Sequence, residues 1–173
     1  MSTTFTIPSV ETERLILRAP ELADLPGMSA FFASDRSGMV GGPRTEAECW
    51  RSISVRAGHW AIRGFGLWHL TQKSSGAFVG WAGIIDEPGW DEPELGYALM
   101  AEAEGQGLAF EAATAARDYA ARHLGLNGVL SFIAHANARS IKLAERLGAT
   151  YEREGDVLGK TCQVWRHPTI EVD

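Results

Sequence analysis

Apolar residues recur along this chain with two different periods, and the changes between them predict the order of helices and strands. Spacings of three and four residues predict helices over residues 21–34, after Thr45 and over residues 107–123. Short apolar runs bounded by Gly, Pro or Asp predict strands. These runs cover residues 12–18, 66–72, 78–85, 94–100 and 129–134, and residues 151–157 and 160–166 form a closing hairpin.

The helix boundaries are marked by capping residues. Thr45 followed by Glu48 forms a capping box, and Asn137 is placed to cap a short helix that Gly148 ends. The helix over residues 107–123 is rich in alanine, the residue with the highest helix propensity, and Gly125 ends it. Residues 37–43 are rich in glycine and end in Pro43, so we expect a loop there.

The predicted order is β-α-α-β-β-β-α-β-α-β-β, which indicates the α+β (mixed α/β) class. Consecutive strands indicate antiparallel pairing, whereas the strand–helix–strand unit over residues 94–134 indicates one parallel pair. We therefore expect a mostly antiparallel sheet covered by helices. At 173 residues without repeats or a long linker, the chain is expected to form a single domain over residues 1–173.

Composition and charge exclude several classes of function. A net charge of −6 argues against a nucleic-acid-binding protein, which needs a basic face. No apolar run approaches the roughly 20 residues of a membrane span, and the first residues do not resemble a secretory signal, so we expect no membrane association. The two cysteines are far apart and the histidines have no partner at metal-binding spacing, which predicts no metal site and a reducing, cytoplasmic location.

The most informative segment is the turn AEGQGLAFE at residues 103–111. It follows a predicted strand and leads directly into the alanine-rich helix. Such a turn exposes successive backbone N–H groups, and the helix N-terminus adds partial positive charge. Together these features predict a phosphate-binding turn that needs no lysine.

Four motifs in a fixed order carry a resemblance to a known family. They are TERL at residues 12–15, GWAG at 80–83, ELGY at 94–97 with GQGLA at 105–109, and NARS at 137–140 with ERLGA at 145–149. In this order they resemble the Gcn5-related N-acetyltransferase (GNAT) superfamily, and in particular its branch of ribosomal-protein N-terminal acetyltransferases (RimJ/RimL-like). A lone Gly-x-Gly is weak evidence, whereas four ordered motifs over nearly the whole chain are specific.

The resemblance implies that acetyl-CoA lies between a parallel strand pair, residues 94–100 and 129–134, whose ends splay apart. Its pyrophosphate is expected on the backbone N–H groups of the glycine turn, where a Cβ would hold the phosphate away. Its pantetheine is expected to pair with the edge of the first strand. The expected cofactor-binding residues are Leu99, Met100, Gly105, Gln106, Gly107, Leu108, Ala109, Asn137 and Ser140.

Acetyl transfer to an amine needs a proton acceptor, because an alkyl amine is mostly protonated at neutral pH. Glu94 is the first candidate for this base; the alternative is a structural carboxylate paired with a backbone group or an arginine. His135 is a second candidate for proton relay, against a plain strand-end histidine. A backbone amide near Leu99 is expected to stabilise the thioester oxygen.

Two positions depart from the family pattern. Glu104 places a carboxylate where the phosphate loop usually begins with another residue, which predicts modest cofactor affinity. Ala144 stands where many members carry a tyrosine that protonates the leaving thiolate, so Ser140 is the expected substitute. These departures keep an alternative open, namely a non-catalytic acyl-CoA-binding or regulatory domain with the same fold. A nucleotide binder of another fold would need a doubly wound sheet, which the hairpins disfavour.

The acceptor is expected to be a primary amine: a protein N-terminus, an aminoglycoside-like molecule or an amino-acid derivative. Direct attack is expected, because Cys49 and Cys162 have no activating neighbours in the sequence. The acidic loop around Trp90 (Asp86, Glu87, Asp91 and Glu92) either attracts the ammonium group or carries solvated charge. Residues 38–44 are expected to face the acceptor, and a homodimer through the C-terminal strands is possible.

Overall fold

The computed structural model describes residues 5–172, which form eight strands and four α-helices. The strands are β1 (Val10–Glu11), β2 (Leu15–Arg18), β3 (Leu67–Gln72), β4 (Phe78–Ile85), β5 (Glu94–Leu99), β6 (Leu130–Ile133), β7 (Thr150–Val157) and β8 (Lys160–Arg166). The helices are α1 (Leu25–Ala33), α2 (Glu46–Arg63), α3 (Leu108–Leu124) and α4 (Ala138–Arg146).

All eight strands join one sheet in the order β1-β2-β3-β4-β5-β6-β8-β7. Every neighbouring pair is antiparallel except β5 and β6, which run parallel. The register of that parallel pair is confined to Glu94 opposite Leu130, and the two strands separate beyond it. The predicted α+β class and the single parallel pair are therefore confirmed.

Helices cover both faces of the sheet. On one face α3 presents Ala112, Ala116 and Ala120, which are fully buried and allow close packing against the strands. On the other face α1 and α2 pack through Phe32, whose ring stacks on Trp81 with centroids 5.7 Å apart. The helical layers on both faces hold the sheet, and with it the positions of β5 and β6 at its centre.

Local structure differs from the sequence prediction in three places. The helix expected over residues 21–34 begins as a 3-10 turn at Leu22–Asp24, and α1 follows with proline in its first turn. The expected loop over residues 37–43 is partly a 3-10 helix, Asp35–Val40. The two-residue strand β1 was not predicted, because two residues give too short a pattern. None of the helices within residues 5–172 has the length and apolar content that a membrane crossing needs.

The GWAG motif has a steric cause in the pairing of β4 with β5. Gly80 lies opposite Leu99 and has a φ of +142°. A Cβ at this position would collide with the carbonyl oxygen of Ala98 and lie 2.9 Å from the Cα of Leu99. The position therefore requires glycine so that β5 can pair closely with β4.

We predict that Gly80→Ala lowers the free energy of unfolding by about 2–4 kcal/mol, because both the clash and the backbone conformation are unfavourable. Gly58→Ala in α2 is the matched control, since a Cβ added there would meet no atom within 4 Å. That control should be neutral or stabilising by up to about 1 kcal/mol. Urea unfolding measures both, and equal effects of the two substitutions would contradict the steric explanation.

Candidate active site

The separation of β5 from β6 opens into a cavity of about 700 Å³. One wall is formed by α2 and residues 38–44, and the opposite wall by the turn between β7 and β8. The gap itself is lined by Glu94 and Tyr97 of β5, by residues 131–133 of β6 with Ala134 after it, and by the start of α4. The structure thus brings together several of the site residues predicted from sequence, among them Glu94, Asn137 and Ser140.

Glu94 lies where the two strands part, and its carboxylate is held by neutral donors. Oε2 accepts from the indole nitrogen of Trp90 at 2.6 Å, and Oε1 accepts from the backbone N–H of Phe132 at 3.3 Å. Burial raises the pKa of Glu94 to about 7, although both hydrogen bonds oppose this change. A carboxyl group that titrates near neutral pH is suited to accept a proton from an ammonium ion.

Tyr97 is a potential proton donor that the sequence analysis missed. Its hydroxyl lies 2.9 Å from the Ser140 hydroxyl, and both side chains line the cavity. Burial raises the pKa of Tyr97 to about 12, so the phenol keeps its proton at neutral pH. Ala144, where the family often has a tyrosine, is instead fully buried against Ile133 and Trp165. A phenol therefore reaches the gap from β5 rather than from α4.

The glycine turn presents unsatisfied backbone donors. Gly105 and Gly107 both have positive φ, and Gly107 is the N-cap of α3 without any side-chain cap. The first N–H groups of α3, beginning with Leu108 and Ala109, therefore have neither an intrahelical nor a side-chain partner. Arg14 donates to the carbonyl of Gln106 at 2.7 Å and forms an ion pair with Glu111 in the first turn of α3.

The carboxylate of Glu104 is neutralised by two arginines. Arg36 donates to both of its oxygens, and Arg139 at the start of α4 donates to Oε2 at 2.6 Å. The hydrogen bonds from Arg36 contribute most to holding the pKa of Glu104 below its usual value. The expected repulsion between Glu104 and a phosphate is therefore offset by two cations at the same place.

Comparison with known proteins agrees with this geometry. The family model described as the acetyltransferase (GNAT) domain matches residues 14–150. The chain belongs to the GNAT acetyltransferase family. Its resemblance to GNAT enzymes, first seen in four short motifs, is thereby confirmed for most of the chain.

Three relatives illustrate the similarity. The uncharacterized protein YkkB of Bacillus subtilis (strain 168) is 31% identical over 107 residues, which make up 61% of this chain and 58% of YkkB. The match thus spans less than two thirds of that relative. The crystal structure of the acetyltransferase from Agrobacterium tumefaciens str. C58 has a TM-score of 0.86 and 34% identity, covering 96% of this chain and 98% of that one.

RimL, a ribosomal L7/L12 alpha-N-protein acetyltransferase solved in complex with coenzyme A, has a TM-score of 0.76. It is 16% identical, with 94% of this chain and 98% of RimL covered. At this identity the likeness shows a shared fold. What this chain shares with RimL is therefore the GNAT fold.

Leu99 and Met100, the two residues of the 94–100 segment predicted to bind the cofactor, differ in the direction of their backbone groups. The carbonyl of Leu99 accepts from Arg36 Nη2 at 3.3 Å, and this group lies on the gap side of the strand. Met100 donates its N–H to Val79 at 2.9 Å, and its carbonyl accepts from Ala103 at 3.1 Å. Tyr97 and Leu99 are thus better placed than Met100 to pair with an extended ligand.

The start of α4 combines a structural and a binding position. Asn137 caps the helix, with its Oδ1 accepting from the backbone of Ser140 at 3.2 Å. The side-chain amide of Asn137 remains available at the cavity wall. His135, by contrast, lies outside the cavity and pairs with Glu154 at 2.7 Å. The geometry therefore favours the plain strand-end alternative for His135.

The acidic loop is largely engaged in ion pairs. Asp86 pairs with Arg63, Asp91 with Arg153 and Glu92 with Arg166. Glu87 lines the cavity together with Trp90. Within residues 5–172, no group of three His, Cys, Asp or Glu side chains is arranged to hold a metal ion.

The raised pKa of Glu94 predicts a specific dependence of stability on pH. Because the folded state binds this proton more tightly than the unfolded chain, stability is lost as pH rises from 4.5 towards about 7. Between about pH 5 and pH 8, wild type should therefore lose roughly 1–3 kcal/mol of unfolding free energy relative to Glu94→Gln.

Urea unfolding at the two pH values measures this difference. Glu92→Gln is the matched control, because pairing with Arg166 lowers the pKa of Glu92 and moves its titration below this range. Its pH dependence should follow that of wild type. Parallel curves for wild type and Glu94→Gln would show that Glu94 has an ordinary pKa.

Proposed function

We propose that this protein transfers an acetyl group from acetyl-CoA to a primary amine by direct attack. The observation that carries the proposal is the placement of a carboxyl group with a pKa near 7 and a partly buried phenol on the same splayed strand of a GNAT fold. One group suits the uptake of a proton, and the other suits its delivery.

The residues at the gap fit acetyl-CoA, which supplies the activated acetyl thioester when bound. The uncapped N-terminus of α3 suits the pyrophosphate, with Gly105 and Gly107 allowing close approach of the backbone. Gln106, Leu108 and Ala109 contribute further backbone N–H groups. Asn137 and Ser140, at the start of α4, line the gap and suit the pantetheine and thiol end.

Glu94 serves in this proposal as the general base. Among residues 5–172, no arginine or lysine pairs with its carboxylate, so no ion pair lowers its pKa. The hydrogen bonds from Trp90 and Phe132 fix the carboxylate at the edge of the cavity. An incoming ammonium group can therefore lose its proton to Glu94, directly or through one water molecule.

Tyr97 serves as the proton donor to the departing sulfur. Its hydroxyl holds a proton at neutral pH, and the Ser140 hydroxyl 2.9 Å away can replace that proton. This assignment extends the expectation for Ser140, which becomes the second member of a hydroxyl pair. Cys162 lines the cavity, but burial raises the pKa of its thiol, which disfavours an acyl-enzyme.

The phosphate role of the glycine turn predicts that Gly107→Val weakens CoA binding by about tenfold or more, equivalent to at least about 1.4 kcal/mol. Gly125→Val is the matched control at the other end of α3, where φ is also positive and no atom lies within 4 Å of the Cβ position. Calorimetric titration with CoA should show a loss only for Gly107→Val. Unchanged affinity in that variant would remove the glycine turn from the binding site.

Release of free thiol from acetyl-CoA with a panel of primary amines tests the reaction itself. Tyr97→Phe should lower kcat by about 10²-fold or more, whereas Tyr119→Phe, which alters a tyrosine packed on Trp68, should stay within about twofold. The rise of kcat/KM with pH should show an apparent pKa near 7 that Glu94→Gln abolishes. CoA binding without thiol release over the panel would favour the non-catalytic alternative.

A further inference from the structure

Arg56 is a buried cation that faces the cavity without a carboxylate partner. Its side chain is on α2 and is only 8% exposed. The guanidinium lies over the Trp81 ring, 4.1 Å from the centroid. Within residues 5–172 no Asp or Glu forms an ion pair with it. An arginine buried in this way is unusual, because burying a charge is costly unless it is paired. Burial lowers the pKa of Arg56 to about 9, which still leaves it charged at neutral pH.

A chain of buried polar groups fixes the orientation of Arg56. Its Nη1 donates to His69 Nε2 at 2.9 Å, and His69 Nδ1 donates to Asp24 at 2.6 Å. Arg18 holds the other side of Asp24 through two hydrogen bonds of 2.9 Å and 2.6 Å. Burial lowers the pKa of His69 to about 4, so the imidazole is neutral and its Nε2 accepts from Arg56.

Two of the three guanidinium nitrogens of Arg56, a residue of the cavity wall, form no hydrogen bond within residues 5–172. Its hydrogen bonds within residues 5–172, to His69 and to the sulfur of Met28, are both made by Nη1. Nη2 and Nε are thus left for a ligand, since Arg56 is one of the residues that line the cavity. A guanidinium edge with two free donors matches the geometry of a carboxylate.

Arg56 lies on the same face of the sheet as Glu94. Trp81, the residue on which Arg56 stacks, pairs with Ala98. Glu94 pairs with Ile85, which is four residues after Trp81 on β4. This separation corresponds to about 13 Å of strand. Between these two pairs on the same face, Gly83 lies opposite Gly96. Neither glycine has a side chain to project from the sheet between Trp81 and Glu94.

At this wall of the cavity three arginines, Arg44, Arg51 and Arg56, face two carboxylates, Glu48 and Glu87. Arg44 and Arg51 also line the cavity, and Arg44 is fixed over Phe32 by a hydrogen bond to Ser52 at 3.1 Å. Of the acidic residues nearby, Glu48 is engaged in the capping box of α2. Glu87 is the remaining carboxylate on this side. The acceptor end of the cavity is therefore suited to an anion, although the whole chain is acidic.

We infer that the amine acceptor carries a carboxylate, which Arg56 binds while the amine lies near Glu94. This inference rests on the proposed acetyltransferase function and names its substrate class. The separation along the strand favours a short molecule, such as a small peptide, whose amine and carboxylate lie at opposite ends. Arg56 is thus a specificity-determining residue, and His69 and Asp24 are positioning residues that act through it.

The test compares acceptors that differ only in the carboxylate. A tripeptide with a free C-terminal carboxylate is compared with its C-terminal amide, and a tripeptide amide with Glu at its last position is compared with the Gln peptide. Wild type should prefer the carboxylate in at least one pair by about tenfold or more in kcat/KM. The first pair responds to a terminal carboxylate and the second to a side-chain carboxylate.

Arg56→Gln should abolish the preference, because glutamine removes the positive charge and the paired donors that a carboxylate needs. Its CoA affinity should equal that of wild type, which shows that the variant is folded. Arg63→Gln is the matched control, since it removes an arginine of the same helix that does not line the cavity. It should retain the full preference.

The outcomes separate this inference from the proposed function. Equal use of acid and amide peptides by wild type would overturn the carboxylate assignment and leave acetyl transfer intact, as would an undiminished preference in Arg56→Gln. If no peptide releases thiol, calorimetric titration of the CoA-saturated protein with the same peptides decides. Tighter binding of the acids, by about tenfold, supports the site without turnover, and equal binding rejects it.

Discussion

The separation of β5 from β6 after one parallel pair is the constraint on which the site depends. Parting the strands leaves backbone groups of β5 without ladder partners, and such groups are costly when buried. Side chains take their place: Ser131 donates to the carbonyl of Leu95 at 2.7 Å, and Arg36 donates to that of Leu99. The carboxylate of Glu94 likewise accepts from the freed N–H of Phe132. These side chains thus provide hydrogen-bond partners for backbone groups on both strands that border the gap.

Each of the two strands that border the gap is held by a neighbouring strand on its other side. β5 pairs along its full length with β4, and β6 pairs along its full length with β8. The buried alanines of α3 hold the helix against β4 and β5, and the glycine turn that follows β5 leads into its N-terminus. The cavity and the position of the glycine turn are therefore two consequences of one strand arrangement.

The sequence predicts the parts of this design that depend on local signals. Short-range sequence patterns predict the helix caps Thr45 and Asn137, the glycine turn and the parallel strand pair. Glu94 is predicted as a candidate base because it belongs to the motif on the first strand of that pair. The pairing of Tyr97 with Ser140, of Glu104 with Arg36, and of Arg56 with His69 joins residues distant in sequence. Such contacts follow from packing of the finished sheet, and no spacing rule predicts them.

The carboxylates of this protein show how partners, rather than residue type, decide chemical roles. Asp24 is held by Arg18 and His69, and its pKa is lowered. Glu104 lies between two arginines, and its pKa is lowered as well. Both therefore stay ionised and serve as anchors for cations.

Glu94 differs because its donors, an indole and a backbone amide, carry no charge, so burial prevails and its proton affinity rises. The same contrast applies to the cations. Arg166 is paired with carboxylates, whereas Arg56 has a neutral imidazole for a neighbour and keeps its charge available. The formal net charge of −6 belongs to the whole chain, whereas Glu94 and Arg56 at the cavity have no ion-pair partner within residues 5–172.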